Sequence, residues 1–359
     1  MRTSLVEDPK ELADHEERWE ALRHEAGGTI FSSNLMVRTW LSSYRGSVGS
    51  RVILIEDKGE LVAAAPLAIH VHRIGMVPIK VLSLAGGVTG KLYLGTNSVL
   101  CRPGRDDALD LMMSEIKRMD WSLLSSLNML DSWSSRAYRQ MVADRWHEVS
   151  APPMKMYTVT IPDKGEIVDL FSKNSRRNIK KDLKHLKDRG SKVTFNNIPL
   201  EDIPRAVDIY AMEHIERWGP KGGSYFRDPE NVKFLSTIVQ EALSRGCGFA
   251  REILIDGEVA AQNFGFMEGG TEYSYRVGMN NAFTEHSPGW LIKLYGLEAA
   301  RSSGIRQHVL GVGNEEHKSH MGGEETTLLG IRASRGLLSP MMVLSSAAGA
   351  IRKRFGPAK

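Results

Sequence analysis

An internal repeat constrains the fold of this chain more than any other feature of its sequence. The segments RVILIEDKGELVAAAPLAI (51–69) and REILIDGEVAAQNFGF (251–266) each contain an apolar run, an acidic turn with glycine, and a second apolar run beginning Val-Ala-Ala. Asp-Gly pairs between such runs are typical of β-hairpins. Each copy follows a helical stretch with Trp and precedes more strands and a helix. The sequence therefore predicts two copies of one α/β unit.

Length and composition agree with two globular domains. The chain has 359 residues, 42% of them hydrophobic and 25% charged, and one core seldom organises a chain of this length. Paired prolines interrupt both helix and strand at Pro152 and Pro153. We therefore predict an N-terminal domain over 1–152, a second domain over 153–335 and a basic tail over 336–359.

The hydrophobic periodicity, together with capping and turn residues, predicts the helices and strands of both halves. The first half is predicted to contain helices at 9–25, 33–44, 106–119 and 134–144, and strands at 79–84, 91–94, 122–130 and 154–161 besides the hairpin. The second half is predicted to contain helices at 167–189, 203–218, 229–245 and 288–302, strands at 249–255, 258–267, 271–279 and 307–311, and a short helix at 315–321. This order predicts an α/β (α+β) fold in which each domain is a mixed, mostly antiparallel sheet flanked by helices.

The charge of the chain is concentrated in one segment. Residues 172–192, SKNSRRNIKKDLKHLKDRGSK, hold nine Lys or Arg and two Asp, whereas the net charge of the whole chain is +4. The overall net charge is therefore weak evidence for nucleic-acid binding. Cys101 and Cys247 lie far apart without metal-ligand spacing, which argues against a disulfide scaffold or a zinc site and fits a reducing cytoplasm. The polar N-terminus and the lack of a sufficiently long apolar window predict neither a secretory signal nor a membrane span.

The stretch HSPGWLIKLYGLEAARSSG (286–304) is typical of a complete helix with both ends marked. Ser287 suits the N-cap, Pro288 the first helical position, and Gly304 the residue after the last turn. Gly289 weakens a first turn but leaves its amide groups uncovered, and uncovered amides at a helix N-terminus bind anions. We therefore expect a phosphate site at Ser287, Gly289 and Trp290. A glycine that merely fits a crowded packing position is the alternative.

Several motifs in one order resemble a known enzyme family. They are FSSNLMVRTW (31–40), GELVAAAPL (59–67), the basic segment, HIERWG (214–219), IDGEVAAQNFGF (255–266), the 287–305 helix, and GVGNEEHKSHMGG (311–323). Together they resemble the double-domain branch of the GNAT N-acyltransferases that includes CelD/BcsL-like proteins and, more distantly, the Fem aminoacyl transferases. The resemblance implies tandem GNAT-like domains and acyl-CoA or acetyl-CoA as cosubstrate, its pyrophosphate at the start of the 288–302 helix. It implies no metal.

The same resemblance implies roles for the segment after the last predicted strand. It marks Gly313 and the adjacent Asn314 for cosubstrate binding and Lys318 for catalysis. His317 stands where the family commonly has an aromatic residue. The two histidines of this segment lack further ligands at metal-binding spacing, so no metal site is expected there.

Acyl transfer to an amine needs a base and a proton donor for the leaving thiolate. Alternation along TEYSYRVGM (271–279) puts Tyr275 on one face with Tyr273 and Val277, and Arg276 on the other with Glu272 and Ser274. Tyr275 is our predicted proton donor, with an aromatic ladder in the core as the alternative.

His214 shares a helix face with Ile203, Val207, Ala211 and Trp218. It is our predicted general base, and a structural histidine is the alternative. Trp218 is predicted to bind substrate. Arg176 and Arg177, in the basic segment, are predicted to bind an acidic glycan, a lipid headgroup, the coenzyme A 3′-phosphate or tRNA. A solvated helix docked on the core explains the same pattern without a ligand.

These residues together predict a cytoplasmic acyl-CoA-dependent N-acyltransferase. Its acceptor would be an amine of a sugar, amino acid, lipid or polysaccharide precursor. A Fem-like transferase that takes its aminoacyl group from tRNA and a non-catalytic GNAT-like binding protein are the alternatives. The N-terminal domain would bind acceptor or act as a scaffold, and the chain would be a monomer or homodimer. The tail would touch a membrane surface or dock as a terminal helix.

Overall fold

The chain divides into two compact units. The computed structural model describes residues 1–335, apart from residues 75, 150, 152, 222, 314 and 315. The first unit contains Met1–Met154 together with the chain from Thr327, and the second contains Lys155–Thr326. Pro152 at the predicted boundary and the predicted tail, 336–359, lie outside the described residues.

The first unit is built on one mixed sheet with helices around it. Its elements are β1 (Arg2–Val6), α1 (Glu16–Glu25), α2 (Asn34–Ser43), β2 (Gly49–Asp57), β3 (Glu60–Ile74), β4 (Val77–Leu84), β5 (Leu100–Cys101), α3 (Asp106–Arg118), β6 (Leu123–Met129), α4 (Trp133–Arg145) and β7 (His147–Val149). Its strands lie in the order β1-β2-β3-β4-β6, of which β4 and β6 are parallel and the other neighbours antiparallel.

The second unit repeats this plan. Its elements are β8 (Met154–Thr160), α5 (Lys173–Asp188), β9 (Val193–Asn197), α6 (Ile203–Trp218), α7 (Pro229–Ser244), β10 (Gly248–Ile255), β11 (Glu258–Glu268), β12 (Thr271–Met279), α8 (Pro288–Ser302) and β13 (Gln307–Val312). Its strands lie in the order β8-β13-β12-β11-β10-β9, and β12 and β13 are the parallel pair. From Thr327, β14 (Glu324–Ser334) pairs with β6 and β7 of the first unit.

The predicted repeat and fold class are confirmed. The repeated hairpins are β2–β3 and β10–β11, and each turns through two residues with positive φ. These are Lys58 (51°) and Gly59 (88°) in the first hairpin and Asp256 (53°) and Gly257 (89°) in the second. Two left-handed residues suit the right-handed twist of the paired strands. Each unit is a mixed, mostly antiparallel sheet flanked by helices.

The core of the second unit fixes α8 on the sheet. Leu291, Leu294, Leu297 and Ala300 recur every three residues along α8 and are buried. They belong to one apolar cluster with side chains of β10 and β11, such as Ile253 and Ala261. The start of α8 is therefore held in a fixed position beside the sheet.

Some predicted elements are wrong. No strand forms at 91–94, because side chains take the backbone groups of Leu92 that a ladder would use: Trp40 Nε1 donates to its carbonyl (2.7 Å) and its amide donates to the Tyr44 hydroxyl (3.3 Å). The helix predicted at 167–189 begins only at Lys173, after a 3₁₀ turn at Ile167–Leu170. The short helix predicted at 315–321, in contrast, is present, as a 3₁₀ helix at Glu316–Met321. Strands β1, β5, β7, β9 and β14 were not predicted.

Candidate active site

Two neighbouring parallel strands of the second unit separate part of the way along. Thr271, Glu272 and Tyr273 of β12 pair with Gln307, His308 and Val309 of β13. Beyond these residues β12 runs on to Met279 and β13 to Val312 without further pairing between them. The carboxyl ends of β12 and β13 are therefore not paired with each other, and ligands of sheets with parallel strands usually bind in the crevice between such ends.

The start of α8 has an unusual backbone cap. Ser287 stands at the predicted N-cap but adopts a left-handed conformation (φ 49°, ψ 47°), and its side chain makes no capping bond. Its carbonyl accepts the amide hydrogens of Trp290 (2.8 Å) and Leu291 (3.3 Å) instead. Pro288 has no amide hydrogen, and no described residue accepts that of Gly289. The first turn thus presents one free donor at the positive end of the helix dipole.

Gly289 also lets α8 begin against the end of β12. A Cβ at this position would lie 2.7 Å from Met279 Cε, on the last residue of β12. Packing therefore accounts for part of the requirement for glycine, as the alternative interpretation expected. Gly289 is nevertheless half-buried rather than covered, so its amide stays within reach of a ligand.

His286 adds a second unsatisfied group beside this turn. Its side chain is buried, and its Nδ1 has no hydrogen-bond partner within the described part of the chain. Its Nε2 lies 3.1 Å from Glu285 Oε1. A buried polar atom without a partner costs about 1–3 kcal/mol unless a ligand or water satisfies it. The turn before α8 therefore presents two groups, the Gly289 amide and the His286 ring nitrogen, that a ligand or water would satisfy.

The basic helix α5 runs beside the same turn. The rings of His185 and His286 are 5.6 Å apart, and Arg189 pairs with Glu285 (3.4 Å). Of the two predicted ligands, Arg176 is half-buried and pairs with Asp169 (2.6 Å), and Arg177 is exposed. The structure thus brings α5 to the start of α8, but through His185 and Arg189 rather than through the two predicted arginines.

A cleft of about 310 Å³ adjoins the end of β12. Its walls are formed by Glu216, Arg217, Met279, Asn281 and Thr284. Met279 is also the neighbour of Gly289, so this cleft begins where α8 begins. Trp218, the predicted substrate residue, follows Arg217 and is 43% exposed.

A β-bulge in β12 overturns the predicted arrangement of its side chains. Ser274 pairs with Gly265 and Arg276 with Phe264, so Tyr275 is an extra residue without a partner in the register. The strand alternation therefore reverses there, and Arg276 lies on the face opposite Ser274, not on the same face as predicted. Tyr275 is buried, with Phe266 at 5.2 Å between ring centroids and the Arg276 guanidinium over its ring.

His214 lies in an aromatic cluster on α6. Its ring is near Tyr210 and Phe226, and its Nδ1 is 2.7 Å from the Ser224 hydroxyl. Burial, together with the charge of Arg276, lowers the pKa of His214 to about 4. The imidazole is therefore neutral at pH 7 and is a weak base.

The preceding residue, Glu213, was not predicted to take part. Its side chain is buried, and no described residue bonds its Oε2. Burial, and then the charge of Glu216, raises the pKa of Glu213 to about 7. A carboxyl group that titrates near neutral pH is tuned for general base catalysis. No periodic signal marked it, because an acidic residue beside a helical apolar face is ordinarily solvated.

Lys318 is buried beside the opened strands. Its Nζ donates to the carbonyl of Gly311 (3.3 Å), and Gly311 is so close to β12 that a Cβ there would lie 3.1 Å from the Ser274 carbonyl. Gly313 follows, and its amide donates to the Lys155 carbonyl (2.9 Å). The remaining predicted residue, Asn314, lies outside the described residues, as does Glu315.

A chain of buried polar side chains where β12 pairs with β13 was also missed by sequence reasoning. Arg251 forms a bidentate ion pair with Glu272 (2.5 and 2.9 Å), and Glu272 Oε2 lies 3.3 Å from His308 Nδ1. His308 Nε2 is 3.0 Å from the Ser274 hydroxyl. The predicted shared face of Glu272 and Ser274 was a signal for this cluster. His308 gave none, since it stands within an apolar run.

The equivalent helix of the first unit is unlike α8. The first turn of α3 carries Asp106 and Asp107, and the Asp107 carboxylate accepts the amide hydrogen of Ala108 (3.0 Å). Arg105 binds the same carboxylate. The Asp107 carboxylate thus takes up an amide of the first turn, and both acidic side chains repel an anion. We therefore expect no anion site at the start of α3.

The described residues contain neither a metal-binding cluster nor a membrane-spanning helix. Among residues 1–335 with the gaps given above, no group of His, Cys, Asp and Glu could hold a metal ion. None of the described helices is both long enough and apolar enough to cross a membrane.

Most of the second unit matches a known protein family. Residues 173–319 match the profile of the acetyltransferase (GNAT) domain. No curated protein matches the chain.

Solved structures share the fold of the whole chain. FemX superposes with a TM-score of 0.63 at 10% identity, covering 96% of this chain and 99% of FemX. A tandem GNAT protein from the clavulanic acid biosynthesis pathway gives 0.52 at 14% identity, with 93% and 99% covered. The C-terminal domain of a putative lysylphosphatidylglycerol synthetase from Agrobacterium fabrum gives 0.53 at 11%, with 94% and 97% covered. Residues 173–319 thus belong to the acetyltransferase (GNAT) domain family, within a chain that has the fold of tandem GNAT proteins.

Proposed function

We propose that this chain is an acyl-CoA-dependent N-acyltransferase whose donor site lies in the second unit. The observation that carries the proposal is the free Gly289 amide at the start of α8, placed where β12 ends beside the crevice it forms with β13. The diphosphate of acyl-CoA or acetyl-CoA would accept that amide hydrogen. The acyl arm would then follow β12 into the crevice.

The acceptor amine would be bound on the α6 side of the sheet. Glu213, whose pKa lies near neutral pH, would remove a proton from the attacking amine, and the neutral His214 would hold the acceptor. Lys318 would stabilise the charge that develops on the carbonyl oxygen, and Tyr275 would protonate the leaving thiolate. The exposed Trp218 would contact an acceptor from among sugars, amino acids, lipids and polysaccharide precursors. Arg176 and Arg177 would extend this surface towards an acidic acceptor.

Two further parts of the proposal rest on composition. Neither cysteine of the described chain forms a disulfide, in keeping with an enzyme of the reducing cytoplasm. A chemistry of this type needs no metal, and the enzyme would act as a monomer or homodimer. A role in polysaccharide synthesis follows from the family resemblance.

A Fem-like transferase is the second candidate, because one observation favours it. The basic helix α5 borders the start of α8 and would extend an anion site over several phosphates. In that case the donor would be aminoacyl-tRNA, and its binding would weaken steeply with salt. A non-catalytic binding protein remains the third candidate, and it predicts neither donor.

Thermal unfolding with each donor separates these candidates. A ligand that binds the folded state at 100 times its Kd stabilises it by about 2.7 kcal/mol. We expect acetyl-CoA, and coenzyme A itself, to raise the melting temperature with a weaker dependence on salt than tRNA would show. A rise with aminoacyl-tRNA alone, lost as salt is added, would support the Fem-like candidate. No shift with either donor would contradict both transferase proposals.

A further inference from the structure

We propose that α5 is the docking surface for a small acidic carrier protein, which presents the acyl group as a thioester on its phosphopantetheine arm. This inference rests on the proposed donor site and names the partner that would bring the donor to it. Coenzyme A carries the same arm, so free acyl-CoA would bind the same site without using the docking surface. The observation that carries the inference is a ridge of basic side chains that leads along α5 to the start of α8.

The basic ridge follows the four-residue spacing of one helix face. Its members are all exposed and lie four residues apart: Lys173, Arg177, Lys181, His185 and Arg189. Residues at this spacing are neighbours on a helix surface, and the ridge spans about 24 Å at 1.5 Å per residue. It ends at the turn before α8, where the rings of His185 and His286 are 5.6 Å apart and Arg189 pairs with Glu285.

A second row of lysines makes this face of α5 strongly positive. Lys180, Lys184 and Lys187 are exposed as well. Neither these three lysines nor the first three residues of the basic ridge pair with an acidic side chain in the described part of the chain. Like charges three and four residues apart destabilise the helix that carries them. Folding therefore does not explain this face, whereas a negatively charged partner does.

The length of the basic ridge exceeds what free coenzyme A can use. The nucleotide of coenzyme A carries a diphosphate and one further phosphate. The ridge, in contrast, is nearly as long as a small protein domain is wide. A carrier protein would cover the ridge from outside, and its arm alone would enter the site between the unpaired ends of β12 and β13.

The backbone donors at the start of α8 also suit a carrier protein. The Ser287 carbonyl binds the amides of Trp290 and Leu291. Pro288 has no amide hydrogen, so the Gly289 amide is the one free donor that the described residues leave in this turn. A single phosphate joins a phosphopantetheine arm to a carrier protein, whereas coenzyme A brings two phosphates to the same place. One free amide matches one phosphate.

The composition of α5 favours a protein over RNA or a membrane. Five of its exposed cations are lysines, which act as point charges, whereas RNA is commonly bound by arginine and by stacking on aromatic rings. Phe171, just before α5, is buried with its ring 5.7 Å from that of Trp290. The apolar residues of α5 pack in the core of the second unit and leave none to enter a bilayer: Ile179, Leu183 and Leu186.

Binding of one carrier protein in two forms tests the inference. The probe is the acyl carrier protein of bacterial fatty-acid synthesis, with its arm acetylated and without its arm, titrated into the full chain. Acetyl-CoA and tRNA are titrated in the same buffers. We expect the acetylated carrier to bind more tightly than acetyl-CoA by about 10-fold or more in about 50 mM salt, and to lose most of this advantage in about 0.5 M salt. The carrier without its arm should bind more weakly than the acetylated carrier, because it cannot reach Gly289.

Charge reversal separates the docking surface from the donor site. Lys173→Glu combined with Lys181→Glu should abolish the advantage of the acetylated carrier, while the Kd of acetyl-CoA stays within about threefold of wild type. The matched control is Lys10→Glu combined with Lys233→Glu, which changes the net charge equally at exposed positions outside α5 and should bind both donors as wild type does. Both variants alter exposed side chains, so their melting temperatures without ligand should match that of wild type.

Failure of the docking surface and failure of the donor site give different results. If acetyl-CoA binds but the carrier has no salt-dependent advantage, or keeps it in the ridge variant, the carrier proposal is wrong and the donor site stands. Equal loss of both donors in the ridge variant would also overturn it, because α5 would then bind the nucleotide of coenzyme A. Tighter binding of tRNA, lost in the same variant, would overturn it in favour of the Fem-like candidate. If neither thioester binds, the proposed function itself fails.

Discussion

At the scale of single residues, Glu213 shows how burial without a partner changes a carboxyl group. The folded chain raises its pKa to about 7 from an ordinary 4.5, so the folded state binds this proton more tightly than the unfolded state does. The free energy of unfolding therefore falls as pH rises from about 4.5 to about 7, by roughly 3 kcal/mol for this group. Glu213→Gln should abolish that loss.

The measurement is urea unfolding of wild type and Glu213→Gln between about pH 5 and pH 8. Only the difference between the two proteins is informative, because His214 has the opposite effect. The pKa of His214 is lowered from 6.5 to about 4, so the unfolded state binds this proton more tightly. The free energy of unfolding therefore falls as pH falls from about 6.5 towards 4. Parallel pH profiles for the two proteins would show that the Glu213 carboxyl is solvated and would remove it as the proposed base.

Glu272 provides a second prediction at this scale. Glu272→Gln removes the charge that compensates the buried Arg251, and an uncompensated buried charge costs about 3–5 kcal/mol. We expect a large fall in the free energy of unfolding in urea. The double variant Glu272→Gln, Arg251→Met should recover much of it, because both charges are then gone. A single variant as stable as wild type would contradict the buried ion pair.

At the scale of elements, the start of α8 can be tested by charge. Gly289→Glu places a carboxylate in a first turn, where it favours the helix by about 0.3–1 kcal/mol but repels an anion. A Cβ at 289 also displaces Met279 Cε, the end of a flexible side chain. We therefore expect little change in stability, together with loss of acetyl-CoA binding in calorimetry.

Gly289→Gln is the matched control, because it has the same size without the charge. It should bind acetyl-CoA more tightly than the glutamate variant does. Gly296→Ala, within the same helix, should leave binding unchanged, since a Cβ there meets nothing nearer than 3.8 Å. Wild-type affinity in Gly289→Glu would place the donor elsewhere.

The sequence predicts an element well where its ends have their own chemistry. Pro288 and Gly304 marked both ends of α8, and Asp256-Gly257 marked the turn of the β10–β11 hairpin. It fails where the geometry comes from partners distant in the chain. The bulge at Tyr275 depends on the register with β11, and β14 is a strand because the first unit leaves a place beside β6. The contact of α5 with the turn at His286 likewise exists only in the folded sheet. The charge pattern therefore predicted the helix but not the residues against which it packs.

At the scale of the whole molecule, the two repeats are predicted to differ in function. The start of α3 carries Asp106 and Asp107, whereas the start of α8 carries Pro288 and Gly289. Titration calorimetry should therefore show one acetyl-CoA per chain. Gly289→Glu should remove it completely. Two equivalents, or residual binding in that variant, would show that the first unit keeps a donor site.

The path of β14 has a consequence for synthesis. Ile331 and Ala333 are fully buried in the apolar cluster of the first unit, although they follow the whole of the second unit in the chain. A ribosome therefore delivers every residue of the second unit before it delivers the strand that completes the first. The core of the first unit is therefore completed only after the whole of the second unit has been synthesised.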